Sequence, residues 1–360
     1  MSLSNFFSQP FSVQWRSALV RAPRLVPDAV LRFTSDPPHP IVLELPSRSP
    51  KYTIPVYLWV PENLDPKITS LPILLDFHGG GFVLGSCLEQ APFCAKMCRD
   101  LKAIVLSVDY RMGPISKFPA AIEDAEDVLS AILDEKAPGY GELRGGISEK
   151  IRYNGQPHLA REVDIDRSKV AISGFSSGGN LAINLGLSVL PPQVQEPWLC
   201  RFPKDYAHHI PLLLYYPSFD SRQLPSERPK PPKMLAKPGF WAEMFGANDD
   251  LVPTYLPRDQ AGHPRASPGL ASVKEGLHPQ ARMLLVQAEI DTLTEQGKVW
   301  ANKVAEEGRE EHLVVEEYAG MKHGWTQFPV SWLNEEEKRT REEAFEKTIT
   351  FTRSVWNGEF

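Results

Sequence analysis

The chain has 360 residues, 42% of them hydrophobic, with 39 basic against 45 acidic side chains and a formal net charge of −6. That length can bury a large core in one big α/β domain or two smaller ones. The acidic balance and the lack of a basic stripe argue against a nucleic-acid partner. The four cysteines, Cys87, Cys94, Cys98 and Cys200, make neither a disulfide framework nor a zinc pattern, so a reducing, cytoplasmic setting is expected.

Residues 1–22 hold no continuous apolar run of signal-peptide type, and no window approaches a bilayer span. Helical potential lies near 12–20, and the mix of Phe6, Phe7, Phe11, Val13, Trp15, Leu19 and Val20 with Arg16, Arg21 and Arg24 is amphipathic. This segment is expected to fold back over the body as part of a cap spanning residues 1–40. The alternative is a membrane-surface contact without stable insertion. Strand-like runs at 41–45 and 53–60 suggest an opening hairpin, with Pro55 placing the second near an edge or a bulge. A buried strand at 72–77 runs into His78-Gly79-Gly80-Gly81-Phe82. Helix 89–101, buried strand 103–109 and helix 119–135 follow, the last from apolar spacing at Ile122, Ala125, Val128, Leu129 and Ile132.

Residues 137–163 are polar and glycine-rich and are expected to be a surface insertion. Strand 169–174 enters Gly174-Phe175-Ser176-Ser177-Gly178-Gly179-Asn180, and another buried strand covers 211–216. The proline-rich stretch 217–269, with a helix near 239–245, is too long for a plain connection and reads as a second cap element or binding loop. Strands 282–288 and 313–318 flank helix 294–307, and a charged amphipathic helix, 335–356, closes the chain. Strands alternating with helices from residue 41 onward imply a mostly parallel sheet covered on both faces.

Acyl transfer through serine needs a nucleophile, a base, a group to orient the base, and donors for the oxyanion. Gly174-Phe175-Ser176-Ser177-Gly178 is a G-x-S-x-G turn between strand and helix, which projects the Ser176 hydroxyl above the sheet. The glycines are needed where a Cβ would collide across the turn. The glycine run after the 72–77 strand offers the N–H groups of Gly79 and Gly80, and Ser177 offers a third. His78 reads as a brace for that loop rather than a participant. His323 follows the last strand in a glycine-flanked loop, whereas the other eight histidines are mostly beside prolines or in loops lacking a preceding strand, which makes it the candidate base. Asp291, at the carboxyl end of strand 282–288, is the preferred orienting acid; Glu289 is its competitor, and Asp291 could instead cap the next helix. Phe82, Tyr215 and Trp325 are candidate walls of an apolar pocket, or else ordinary core.

These motifs stand in a fixed order. They are His-Gly-Gly-Gly-Phe at 78–82, Asp109-Tyr110-Arg111, Phe118-Pro119-Ala120-Ala121, the elbow at 174–182, Asp291 with Leu293, and His323-Gly324. From about residue 40 to the end, the chain resembles the hormone-sensitive-lipase-type carboxylesterases of the α/β-hydrolase fold. The resemblance implies an N-terminal cap, a triad of Ser176, Asp291 and His323, and an oxyanion hole from Gly79, Gly80 and Ser177. It implies a small-molecule ester as substrate and no metal or organic cofactor. Some relatives dimerise, so a homodimer is a further expectation. Two departures stand out: Phe175-Ser176-Ser177 replaces the family's usual Asp-Ser-Ala, and the insertions at 137–163 and 217–269 alter the cap. Rival functions on the same fold are an acyltransferase, a thioesterase, a lactone-forming or lactone-hydrolysing enzyme, or a non-catalytic small-ligand binder.

Overall fold

Eight strands make one sheet, and the aliphatic runs of its middle strands dictate burial on both faces. The computed structural model describes residues 4–21, 35–234 and 248–360. The strands are β1 (Ile41–Pro46), β2 (Thr53–Trp59), β3 (Ser70–Phe77), β4 (Ile104–Val108), β5 (Asp164–Phe175), β6 (Ile210–Tyr215), β7 (Ala281–Ile290) and β8 (Leu313–Lys322). Their order is β1-β2-β4-β3-β5-β6-β7-β8. β1 and β2 pair antiparallel, β2 joins β4 antiparallel, and every later pairing is parallel. The expected hairpin and the expected parallel body are both present.

The described α-helices of eight residues or more are α1 (Phe11–Arg21), α2 (Cys87–Leu101), α3 (Ala120–Leu133), α4 (Tyr140–Tyr153), α5 (Ser177–Leu185), α6 (Asn248–Tyr255), α7 (Thr294–Glu306) and α8 (Glu335–Trp356). One sheet face, with Trp59, Leu74, Val105, Ala171, Leu213 and Leu284, is covered by Phe93 and Met97 of α2 and by Phe345 and Ile349 of α8. The other face, with Ile73, Leu106, Ile172, Leu214 and Leu285, is covered by α3, α4, α5 and α7. A capping box starts α8: Asn334 Oδ1 accepts the Glu337 N–H at 2.9 Å, and Glu337 Oε2 accepts the Asn334 N–H at 2.9 Å.

One expectation here is met and another needs correction. Pro55 does lie near an edge, since β2 is the second strand from the end of the sheet and Pro55 pairs with Glu44 of edge strand β1. It is tolerated because the ladder with β4 begins only at Val56. The 137–163 stretch is not merely surface. α4 buries Leu143, Ile147 and Ile151, one face of a helix at a spacing of four. Gly146 lets that helix lie close on β1, since a Cβ there would stand 2.2 Å from Leu43 Cδ1. The glycines and charges of α4 hide this face in the sequence. In the 217–269 stretch, the helix expected at 239–245 lies outside the described residues. Further on, α6 buries Leu251 and Tyr255 and packs against α1. Among the described residues, no helix is long and apolar enough to cross a membrane.

Candidate active site

The site is built at the carboxyl ends of β3, β5 and β7 and in the loop after β8. β5 hands over to α5 at Ser176, whose φ of 55° and ψ of −114° put a non-glycine residue in a strained conformation. Neighbouring glycines permit the turn. A Cβ on Gly174 would meet Gly178 O at 2.1 Å, and one on Gly178 would meet Phe77 O at 2.1 Å. A Cβ on Gly179 would stand 2.7 Å from Pro217, so this glycine seats α5 against the chain leaving β6. The turn is pinned by the Ser176 N–H on Tyr215 O at 2.9 Å and the Ser218 N–H on Ser176 O at 3.2 Å. Ser176 is 8% exposed.

Three groups meet there. Ser176 Oγ lies 3.1 Å from His323 Nε2, and His323 Nδ1 lies 2.6 Å from Asp291 Oδ2. Asp291 comes directly after β7 and is 3% exposed. Its other carboxylate oxygen accepts the Leu293 N–H at 2.9 Å, which fixes the carboxylate plane. Glu289, the competitor, faces elsewhere: it pairs with Lys233 and accepts the Gly320 N–H at 2.8 Å. The tautomer consistent with both contacts has Nδ1–H donating to Asp291 and Nε2 accepting from the serine hydroxyl.

The glycine loop sits beside the elbow. Gly80 and Gly81 have φ of 123° and 60°, conformations that favour glycine. The backbone N–H groups of Gly79, Gly80 and Ser177 meet no hydrogen-bond acceptor among the described residues. Ser177 opens α5, so the helix dipole adds to its N–H. His78 braces the loop as expected: it is fully buried, stacks on Tyr110 at 4.3 Å and contacts Gly79 O through Nδ1 at 2.7 Å. Tyr110 donates its hydroxyl to His78 O at 2.8 Å, and Arg111 forks onto the buried Asp124 at 2.8 and 3.0 Å. The Asp109-Tyr110-Arg111 motif thus anchors the loop from β4. Phe82 is 7% exposed and stacks on Tyr255 of α6 at 4.7 Å.

Tyr215 and Trp325 are corrections. Both are fully buried and have no surface with which to wall a pocket. Tyr215 stacks on Phe175 at 4.3 Å and bonds Thr348 of α8. It is the next residue, Tyr216, just past the end of β6 and at a φ of 35°, that approaches the site. Its ring meets the His323 ring edge-on at 4.8 Å, and its hydroxyl bonds Thr326. Burial holds that hydroxyl well above its ordinary pKa of 10, so it stays neutral. Phe175 fills the apolar space between α2 and β6 against Phe93 at 5.0 Å.

Sequence reasoning also missed a carboxyl beneath the site. Asp76 of β3 is fully buried, with no cation beside it among the described residues. Register places it between Ser107 of β4 and Ser173 of β5, and both hydroxyls donate to it, at 2.9 and 2.7 Å. Burial, offset in part by these donors, pushes its pKa from 3.8 up to about 6. Only the cross-strand register could have signalled this cluster.

The α/β-hydrolase fold family matches residues 74–327. The protein named Probable carboxylesterase 8, from Arabidopsis thaliana, is 38% identical over 138 residues, which cover 38% of this chain and 38% of that relative. An arylesterase from Saccharolobus solfataricus is 25% identical over 260 residues, covering 71% of this chain and 68% of the relative. A solved hyperthermophilic esterase from the archaeon Pyrobaculum calidifontis superposes with a TM-score of 0.61 at 23% identity, covering 99% of this chain and 97% of that one. At that identity the likeness concerns the fold. The matches with the first curated relatives span about two-fifths or less of those relatives' length. With the family matched over well more than half its length, the chain belongs to the hormone-sensitive-lipase-like branch of the α/β-hydrolase fold.

Proposed function

We propose that this chain is a serine hydrolase that cleaves carboxylic esters through an acyl-Ser176 intermediate. The observation that carries the reading is the line from Ser176 Oγ through His323 to Asp291, at 3.1 and 2.6 Å. The esterase names of its relatives agree with it.

Ser176 attacks the ester carbonyl while His323 Nε2 takes the hydroxyl proton. The tetrahedral oxyanion rests on the unpaired N–H groups of Gly79, Gly80 and Ser177, each worth about 3 kcal/mol in the transition state. His323 gives the proton to the leaving alcohol, and the acyl-enzyme forms. Water then attacks, with the same histidine as base, and the acid leaves. Asp291 holds the imidazole tautomer and stabilises the imidazolium throughout. The chemistry uses only protein groups. α1 packs on α6, and α6 packs on the glycine loop through the Tyr255–Phe82 stack; the two helices form the described part of a cap over the ester.

The test is turnover of p-nitrophenyl esters from acetate to decanoate by the parent and by Ser176→Ala. The reading expects release of the phenol by the parent alone, with a chain-length optimum set by the cap. Equal turnover by both proteins, or none by the folded parent across the panel, would reject it.

A further inference from the structure

Four hydrogen-bonded groups join the parts of this site from below. Ser173, three residues before Ser176 on β5, donates to Asp76. Asp76, two residues before His78 on β3, accepts from Gln90 Nε2 of α2, 3.4 Å from both carboxylate oxygens. Gln90 Oε1 in turn accepts from Gln327 Nε2 at 3.1 Å. Gln327 lies four residues after His323, and its Oε1 accepts from the Tyr216 hydroxyl at 3.4 Å. Its amide also covers the glycine loop: a Cβ on Gly79 would meet Gln327 Oε1 at 2.9 Å. The same four groups therefore touch the strand that bears the nucleophile, the loop that bears the oxyanion donors and the loop that bears the base.

We propose that Asp76, Gln90 and Gln327 are positioning residues: a buried relay that fixes the Gly79–Gly80 loop and the His323 loop relative to Ser176. This rests on the esterase reading above. The orientation of each amide is determined by its neighbours. Asp76 accepts only, so Gln90 must turn its NH2 toward it and its carbonyl toward Gln327. Gln327 must then donate to Gln90, which leaves its carbonyl for Tyr216 and its flat face for Gly79. Each link is specified by the one before, so the relay transmits placement rather than merely filling space. A residue that touches no substrate still governs rate if it holds reacting groups to within a fraction of an ångström.

The experiment compares kcat and KM on the best p-nitrophenyl ester for the parent, Gln90→Met, Gln327→Met and the double variant, with thermal unfolding of each. Methionine keeps the volume and removes the hydrogen bonds. The relay predicts a kcat lower by about 10- to 100-fold in each single variant, with KM within about threefold. The double variant should lose no more than the worse single one, because either change breaks the same chain. Should Gln90→Met fail to fold, Gln327→Asn retains an amide at the half-buried end but shortens it below the reach of Gln90, and the same loss of kcat is expected. Folded variants with kcat within twofold of the parent, or losses that multiply in the double variant, overturn the relay. A folded parent with no turnover overturns the esterase reading itself, and the relay falls with it.

Discussion

Replacing Gly178 by alanine tests whether the elbow and the glycine loop work as one rigid unit. A Cβ at residue 178 would stand 2.1 Å from Phe77 O and 2.5 Å from His78 O. Both are backbone atoms, so no side chain can swing aside. Phe77 is locked in β3 between β4 and β5, and His78 is held by Tyr110. The start of α5 must therefore retreat by about 1 Å to reach ordinary contact. That moves the Ser177 N–H away from Gly79 and Gly80 and moves Ser176 relative to His323. Misplacement on this scale costs on the order of 100-fold in rate, and overpacking costs about 1–3 kcal/mol of stability. Gly145→Ala on α4 is the control, since nothing lies within 4 Å of its added Cβ. It should keep parent activity and gain about 0.5–1 kcal/mol from helix propensity. The assay is kcat/KM on a p-nitrophenyl ester together with urea unfolding. A Gly178→Ala protein with parent activity and parent stability would refute the argument that the carbonyls of β3 set the elbow.

Three further outcomes are expected. Asp291→Asn should lower kcat by about 10³- to 10⁴-fold with little change in KM, because the amide favours the wrong imidazole tautomer; a loss under tenfold in steady-state assays would contradict that role. Asp76, with its pKa raised to about 6 by burial, takes up a proton in the folded state before the unfolded chain does. It therefore favours the fold increasingly as pH falls from about 6 toward 3.8, and opposes it above. The rise from 3.8 to about 6 corresponds to about 3 kcal/mol. The stability of the parent relative to Asp76→Asn should thus rise between pH 7 and pH 5 in thermal melts, and parallel curves would contradict this. Glu126→Gln should destabilise the protein by about 3 kcal/mol in urea unfolding. The buried Glu126 carboxylate accepts from Trp198 at 2.7 Å, pairs with Arg48 and Arg201, and lies 3.7 Å from the wholly buried Arg265. A change under 1 kcal/mol would show that these cations find other partners.

Much of this molecule is legible in the sequence because its informative features are local. The elbow glycines, the His-Gly-Gly-Gly run and the aliphatic strands each declare themselves within a few residues. The chain order of Ser176, Asp291 and His323 then matches the order of the strand ends that carry them. What stayed hidden depends on tertiary register. Tyr215 and Tyr216 are adjacent and chemically identical, and only the sharp turn of the chain at the end of β6 decides which one faces His323. Asp76 reads as a polar break in a strand until its neighbours Ser107 and Ser173 are paired with it. Gln90 and Gln327 are 237 positions apart, and nothing local marks either. α4 escaped notice because glycines and charges dilute a face that is apolar only at every fourth residue.

The central claim is that Ser176 is the group that becomes acylated. It is tested most directly by treating the folded protein with a fluorophosphonate and mapping the adduct by peptide mass spectrometry. The account predicts one adduct per chain, on Ser176, formed far more slowly in His323→Ala. A protein that stays unlabelled, or one labelled elsewhere with Ser176 intact, would contradict it.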